Sequence, residues 1–291
     1  MNPTTVRSLA EQLQGKELVV APGIFDMISV KLADSIGFDA LYMTGYGVTA
    51  SYLGLPDAGI ATYTDMVGRV TQIKTISPTP LIADGDTGYG GLLNVQHTVR
   101  GYEAAGAAAI QLEDQEFPKK CGHVLGRRVV PLEDMVAKIK VAVESRDSSD
   151  FLIIARTDAR TGHGLDEALR RAEAFAKAGA DILFIESPES VEEMRKIGAS
   201  FDLPLLANLV EGGRTPIVGK ATLEELGYSL AIFPAAGFLA AGEALRRVYG
   251  ELKAAGSTDN LKTPLYSFKD FSGLMGLDEV AAFDAAHDQT G

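Results

Sequence analysis

Cysteine occurs once in this 291-residue chain, at Cys121, so an internal disulfide is excluded. There are four histidines, and only His123 lies near that cysteine. One of each is too few for a structural zinc site. Long hydrophobic runs are missing too: no window approaches the ~18 apolar residues of a membrane span. The opening Met1-Asn-Pro-Thr-Thr-Val-Arg7 is polar and lacks the basic-then-apolar order of a signal peptide, so a cytoplasmic protein without a membrane partner is expected. Cationic residues are in deficit, with 27 Lys and Arg against 39 Asp and Glu. The net charge of −12 argues against a nucleic-acid partner. Low-complexity tracts and Ser-rich linkers are absent, so residues 1–291 are read as a single domain.

What is present is a regular alternation. Eight short aliphatic runs recur: Leu18–Val20, Ala40–Tyr42, Leu81–Ala83, Ala109–Leu112, Leu152–Ala155, Ile182–Ile185, Leu205–Ala207 and Leu230–Phe233. Between them lie segments such as Ile28–Leu32, Met135–Ile139 and Leu165–Ala172, whose apolar residues return every three or four positions, as on one face of a helix. Gly37, Gly106, Gly179 and Gly227 each follow such a segment and precede a run, where a left-handed helix cap is needed. Alternation of this kind builds a parallel sheet, and eight buried strands at this length predict an α/β fold of the (β/α)8 TIM-type barrel class. Helical Gly242–Tyr249 and Leu277–Phe283, separated by an irregular segment with Gly256, Pro264 and Gly273, lie at or beyond the eighth unit. They predict extra C-terminal helices, packed on the barrel or on a neighbouring subunit.

In such barrels the active site sits where the strands end. Just past the runs stand Thr44-Gly45-Tyr46, Asp84 and Asp86, Glu113-Asp114, Arg156-Thr-Asp158, Glu186 and Asn208. Each has an ordinary reading: Arg156 with Asp158 as a structural ion pair, Asn208 as a turn former, Glu186 as a solvated loop acid. Several acids around one mouth, however, repel one another unless a cation holds them. Carboxylates without nitrogen or sulfur partners suit Mg²⁺, with Mn²⁺ as a substitute. Asp84, Asp86 and Glu113 are therefore candidate metal ligands, some acting through water. Asp57, in Leu53-Gly-Leu-Pro-Asp57-Ala-Gly, is either a fourth member or a turn residue. Gly85, Gly88, Gly90 and Gly91 match neither the Walker spacing nor GxGxxG, so no phosphate cradle is read there.

The stretch Lys119-Lys-Cys121-Gly-His123 places the thiol on a charged loop. Two lysines and an imidazole favour thiolate, so Cys121 is expected nearer neutrality than an ordinary cysteine and fit to carry a proton. Gly122 and Gly126 would let the loop close as a lid. His97, His163 and His287 have no matching partners and are read as structural or surface groups.

Five segments, Asp84-Gly-Asp-Thr-Gly-Tyr-Gly90, Glu113-Asp-Gln115, Lys119-Lys-Cys-Gly-His123, Ala155-Arg-Thr-Asp158 and Asn208-Leu-Val-Glu-Gly-Gly-Arg-Thr-Pro216, occur in this order. With them the chain resembles the isocitrate lyase and phosphoenolpyruvate mutase superfamily over roughly residues 15–250. The resemblance implies a (β/α)8 barrel, usually tetrameric, with helices exchanged between subunits, which would occupy the tail from about residue 238 to 291 in oligomer contacts. A cysteine on the gating loop implies a carbon–carbon lyase rather than a phosphonate mutase or a decarboxylase. The short chain implies the 2-alkylmalate and 2-methylisocitrate branch, with oxaloacetate hydrolases beside it. Thr44-Gly-Tyr46-Gly stands in place of a Ser-Gly-Gly-Gly associated with methylisocitrate cleavage, and a bulky Tyr46 crowds room for an extra carboxymethyl arm. The substrate expected is thus a 2-hydroxy dicarboxylate such as 2,3-dimethylmalate, with the tricarboxylate methylisocitrate as the alternative and with oxaloacetate hydrolysis or a phosphoenolpyruvate or carboxyphosphonoenolpyruvate phosphonomutase activity as further alternatives. By the same resemblance Cys121 is the general acid and Tyr42 lies near the C2 oxygen. Thr44, Gly45, Tyr46, Gly122, Arg156 and Asn208 bind substrate, while His123, Lys119 and Glu186 complete the catalytic set.

Overall fold

The computed structural model describes residues 7–15 and 17–287, so Met1–Val6 and the last four residues of the tail lie outside the described residues. Eight parallel strands follow one another: β1 (Val19–Ile24), β2 (Leu41–Met43), β3 (Leu81–Asp84), β4 (Ala109–Glu113), β5 (Leu152–Thr157), β6 (Ile182–Ile185), β7 (Leu206–Asn208) and β8 (Leu230–Phe233). Each of the eight expected runs forms one of them. Their order is β6-β5-β4-β3-β2-β1-β8-β7, and a parallel bridge from Leu183 to Leu205 joins the two ends into a nearly closed barrel.

Helices lie between the strands because their sequences are amphipathic at a 3.6-residue period. In the helix Leu165–Lys177 the buried residues are Ala168, Arg171, Ala172 and Phe175, one stripe at spacings of three and four. Arg171 tolerates burial because its guanidinium meets Asp114 at 3.1 Å and Glu167 at 2.9 Å. The four expected helix-ending glycines take φ of +87° at Gly37, +92° at Gly106, +100° at Gly179 and +87° at Gly227.

Strand alternation sorts side chains into two cores. Leu41, Met43, Leu81, Ala83, Ile110, Ile153 and Leu183 face the helices. Tyr42, Ile82, Ala109, Leu152, Ile154, Ile182, Phe184, Leu206 and Ile232 fill the barrel interior, joined by Leu9 from the short helix Leu9–Leu13. Burying a side chain of Leu9's size contributes about 2 kcal/mol, and it caps the interior core at the rim opposite the strand ends.

Beyond β8 come the helices Ala236–Ala255, Phe268–Leu274 and Leu277–His287. The second of these falls in the segment expected to be irregular. Its start is set by Ser267, whose hydroxyl accepts from the Asp270 amide at 3.4 Å. None of the described residues in these three helices is buried. Among the described residues no helix is long and apolar enough to cross a membrane.

Candidate active site

The period of two that fills the barrel interior continues past the apolar layer and delivers the polar one. Above Tyr42 comes Thr44, above Ile82 Asp84, and above Ala109 first Gln111 and then Glu113. Leu152 and Ile154 lead to Arg156 and Asp158, Phe184 to Glu186, and Leu206 to Asn208. The interior is apolar at one end and ionisable at the other because each strand keeps its phase while its composition changes.

These groups surround a cavity of about 250 Å³ lined by Tyr42, Asp57, Asp84, Glu113, Cys121, His123, Arg156 and Asn208, with Tyr46, Phe238 and Leu239 on its apolar side. Asp86 and Glu186 stand behind that lining. Gly45 is obligatory at the floor, since a Cβ there would lie 2.5 Å from Asp84 Oδ2. The Tyr46 ring packs against Phe238 at 5.1 Å between centroids.

The acids are crowded. Asp84 Oδ1 accepts from the Asp86 amide at 3.1 Å and from Gln111 Nε2 at 3.4 Å. Gln111 Oε1 takes the Tyr42 hydroxyl at 3.2 Å. Asp86 adopts the left-handed conformation at φ 47°, uncommon for a residue with a Cβ and of order 1 kcal/mol in strain. Lys119 pairs with Asp57 and lies 2.7 Å from Asp86 Oδ1. That contact is poorly aimed, for Asp86 Oδ1 has no hydrogen-bond partner among the described residues, and neither has Glu113 Oε1. Burial first, then the neighbouring Asp84 and Asp57, push the Asp86 carboxyl up to about 6 against the opposing pull of Lys119. Burial also pushes Glu113 well above the usual carboxylate range, with Arg156 working the other way. Burial opposes the charge of Lys119, yet Asp86 and Asp57 hold its pKa above the ordinary range.

Arg156 is the hub of the opposite wall. It reaches Asp158 at 2.9 Å through both Nε and Nη2, Glu186 at 3.2 Å and Glu113 at 3.4 Å. Asn208 Nδ2 donates to Glu186 Oε2 at 2.9 Å. His123 Nδ1 accepts from the Arg214 amide at 3.1 Å, which places the imidazole proton on Nε2, the nitrogen 3.7 Å from Glu186. Burial lowers the His123 pKa although Glu186 raises it, so the ring is a neutral donor.

The loop from Lys119 to Arg128 closes over these groups. Gly122 sits so near that an added Cβ would lie 2.4 Å from Arg156 Nη2 and 2.6 Å from Glu186 Oε2. Ser187, left-handed at φ 59°, donates to the Gly122 carbonyl at 3.0 Å. Gln115 holds Lys120 by two hydrogen bonds, 2.8 Å to its carbonyl and 3.0 Å from its amide.

All fifteen residues singled out from the sequence lie at this one end of the barrel, in the cavity wall or directly behind it. One expectation is corrected. Cys121 is not drawn toward neutrality: burial pushes its thiol up, Asp57 and Glu186 add to this, and only the His123 amide and Arg156 oppose it. The lysines are spent elsewhere, Lys119 on Asp57 and Asp86 and Lys120 on the Gly126 carbonyl at 3.2 Å. Three residues of the site were not foreseen: Gln111, Arg127 and Ser187. Only Gln111 had a signal, being the inward position between Ala109 and Glu113.

No group of three or more His, Cys, Asp or Glu among the described residues is arranged to hold a metal ion by itself. The residues nevertheless fit a hydrated cation. Among the described residues Asp57 and Asp86 pair with Lys119, Glu113 and Glu186 with Arg156, and Asp158 with Arg156 and Arg127, so five acids share three Lys and Arg side chains. Glu113 Oε1 has no hydrogen-bond partner among the described residues and Asp86 Oδ1 has only the ill-aimed Lys119, and oxygen donors of this kind suit Mg²⁺ with most of its water retained.

Residues 9–253 match the protein family described as phosphoenolpyruvate phosphomutase. The chain is 50% identical over 276 residues to 2,3-dimethylmalate lyase of Eubacterium barkeri, covering 95% of this chain and 96% of that protein. It is 41% identical to 2-methylisocitrate lyase of Aeropyrum pernix, covering 95% and 89%. Among solved structures, a 2,3-dimethylmalate lyase described as a member of the PEP mutase/isocitrate lyase superfamily matches with a TM-score of 0.90 and 39% identity, over 97% of this chain and 96% of that one. A phosphonopyruvate hydrolase in complex with oxalate and Mg²⁺ matches with a TM-score of 0.87 and 31% identity, over 97% and 98%.

Proposed function

Since the chain belongs to the phosphoenolpyruvate mutase and isocitrate lyase superfamily, we propose that it is a Mg²⁺-dependent carbon–carbon lyase. It cleaves a 2-alkylmalate such as 2,3-dimethylmalate into a 2-oxo acid and a carboxylate. The observation that carries this reading is the Cys121 thiol, held protonated by burial, facing an acid-lined cavity with an apolar wall. Asp86, with Asp57, Asp84 and Glu113, would hold a divalent cation, which would supply positive charge to acidify the substrate's C2 hydroxyl and balance its carboxylate.

The chain's own groups do the rest. Arg156 and the amides of Gly45 and Tyr46, at the first turn after Thr44, orient the oxo end. Tyr42, kept a neutral phenol because burial and Asp84 raise its pKa, donates to Gln111 and so turns a lone pair toward the cavity. There it accepts from the C2 hydroxyl, whose proton passes to the Asp84 carboxylate lining the same cavity as the bond to C3 breaks and the C2 oxygen becomes the carbonyl. His123 Nε2–H, Asn208 and the Gly122 amide donate to the carboxylate into which the leaving carbanion's charge spreads, where one preorganised donor is worth roughly 3 kcal/mol. Glu186 aligns His123, Asn208 and Arg156. Cys121 then delivers its proton to carbon. Lys119 anchors the lid on the acids and keeps the thiol at the cavity mouth.

Tyr46 and Phe238 favour a small alkyl substituent over a second carboxymethyl arm. The 41% identity to a 2-methylisocitrate lyase keeps methylisocitrate as the second reading. Incubation with Mg²⁺ and a panel of 2-substituted malates, methylisocitrate, oxaloacetate and phosphonopyruvate separates the cases. Release of 2-oxo acid from the alkylmalates supports the reading. Turnover of methylisocitrate alone moves the assignment to the second one, and inertness toward every 2-hydroxy acid overturns both. The exposed tail helices are proposed as the contacts of a cytoplasmic homotetramer.

A further inference from the structure

The lid carries a buried cation that the proposed chemistry does not use. The side chain of Arg127 is 1% exposed, although it belongs to a surface loop. Its Nη1 pairs with Asp158 Oδ1, its Nη2 lies 2.5 Å from Thr161 Oγ1, and its Nε donates at 3.1 Å to the Val124 carbonyl within the lid. The same Asp158 Oδ1 receives Nη2 of Arg156 at 2.9 Å. Asp158 is itself fixed, its amide donating to Asp114 Oδ1 at 2.9 Å. One rigid carboxylate is thus shared between a guanidinium facing the cavity and a guanidinium on the lid.

We propose that Arg127 is a positioning residue that couples closure of the lid to the anion-binding state of Arg156 through Asp158. This rests on the reading of the cavity as the active site. With the lid open, Arg127 leaves, and Arg156 alone balances Asp158, Glu186 and Glu113. With the lid closed, Arg127 neutralises Asp158, so that more of the Arg156 charge is directed at an anion in the cavity. A bound carboxylate and a closed lid therefore favour each other, and by linkage the effect runs in both directions. The fork geometry matters, because the two ends of the Arg127 guanidinium reach Asp158 and Thr161 at once.

The chain contains no tryptophan, so Leu125→Trp, at a lid position 64% exposed, supplies a single fluorescent reporter. In that background Mg²⁺ with oxalate as the probe dianion is expected to change the emission and to slow trypsin cleavage after Arg128. Arg127→Met is expected to abolish both responses and to lower kcat about 100-fold, the order of loss a slightly misplaced group causes. Arg127→Lys, which keeps the charge without the fork, recovers part of each. Circular dichroism melting of both variants identifies a merely structural Arg127: lost stability with an unchanged oxalate response overturns the coupling. So does an Arg127→Met protein that responds to oxalate and turns over like its parent. If the Leu125→Trp parent neither responds to oxalate nor turns over any 2-hydroxy acid, the reading of the cavity falls and the coupling falls with it.

Discussion

Cys121 shows how neighbours in space overrule neighbours in sequence. Two adjacent lysines point to an acidified thiol, yet each is committed to another oxygen, and around the sulfur burial with Asp57 and Glu186 outweighs the His123 amide and Arg156. The sign of the pH dependence follows. The acid that the proposed cleavage needs is the thiol, which is present below its raised pKa and is lost as pH rises through it. Cleavage is therefore expected to hold its rate through neutrality and to fall only above the range of an ordinary cysteine. Alkylation by iodoacetamide, which requires thiolate, should rise over that same alkaline range. Inactivation that is already fast at pH 7 would contradict a burial-raised thiol. Cys121→Ser should lower kcat by about 10²–10⁴, the contribution of a positioned general acid, and an unchanged kcat would remove that role.

At the scale of elements, the strands and the lid were unequally legible. The eight strands could be read because each is a contiguous aliphatic run, and the site could be read because ionisable residues appear where those runs end. The inward phase of each strand then decides which of them meet, as at Ile82 and Asp84 or Ile154 and Arg156. The lid's fastenings had no such signature. Arg127 meets Asp158 31 residues away, and Ser187 meets Gly122 65 residues away, pairings that local pattern does not encode. The short helix Phe268–Leu274 was missed for a related reason, since its glycine and short length hide a Ser267–Asp270 cap. The close seat of the lid yields its own prediction. Gly122→Ala puts a methyl carbon within 2.6 Å of both Arg156 and Glu186, so the lid is expected to stay ajar in an otherwise folded protein. Trypsin should cut the loop faster and kcat should drop while the melting temperature stays near that of the parent; wild-type turnover would show that the lid seats differently.

For the whole molecule the question is what holds an acidic centre and an exposed tail together. A barrel mouth with more buried carboxylates than cations is destabilised until a cation enters, so the ion should stabilise the fold as well as the reaction. At a Mg²⁺ concentration 100 times its Kd the linkage is worth about 2.7 kcal/mol, or several degrees of melting temperature for a chain of this size. EDTA should remove the shift, and Asp86→Ala should abolish it; an equal shift in that variant would place the ion elsewhere. The tail poses the complementary problem of apolar surface without a cover. Phe268 is 87% exposed and Phe283 62%, and none of the described residues in their helices is buried. Exposure of that kind over three consecutive helices is stable in water when another copy covers it. Light scattering of the intact protein is expected to give a tetramer. Phe268→Glu combined with Phe283→Glu should yield smaller species, because burying two new charges in an apolar contact costs several kcal/mol. A double variant that remains tetrameric at micromolar concentration would show that these helices face solvent in the assembly, and that contact between subunits is made by another face of the barrel.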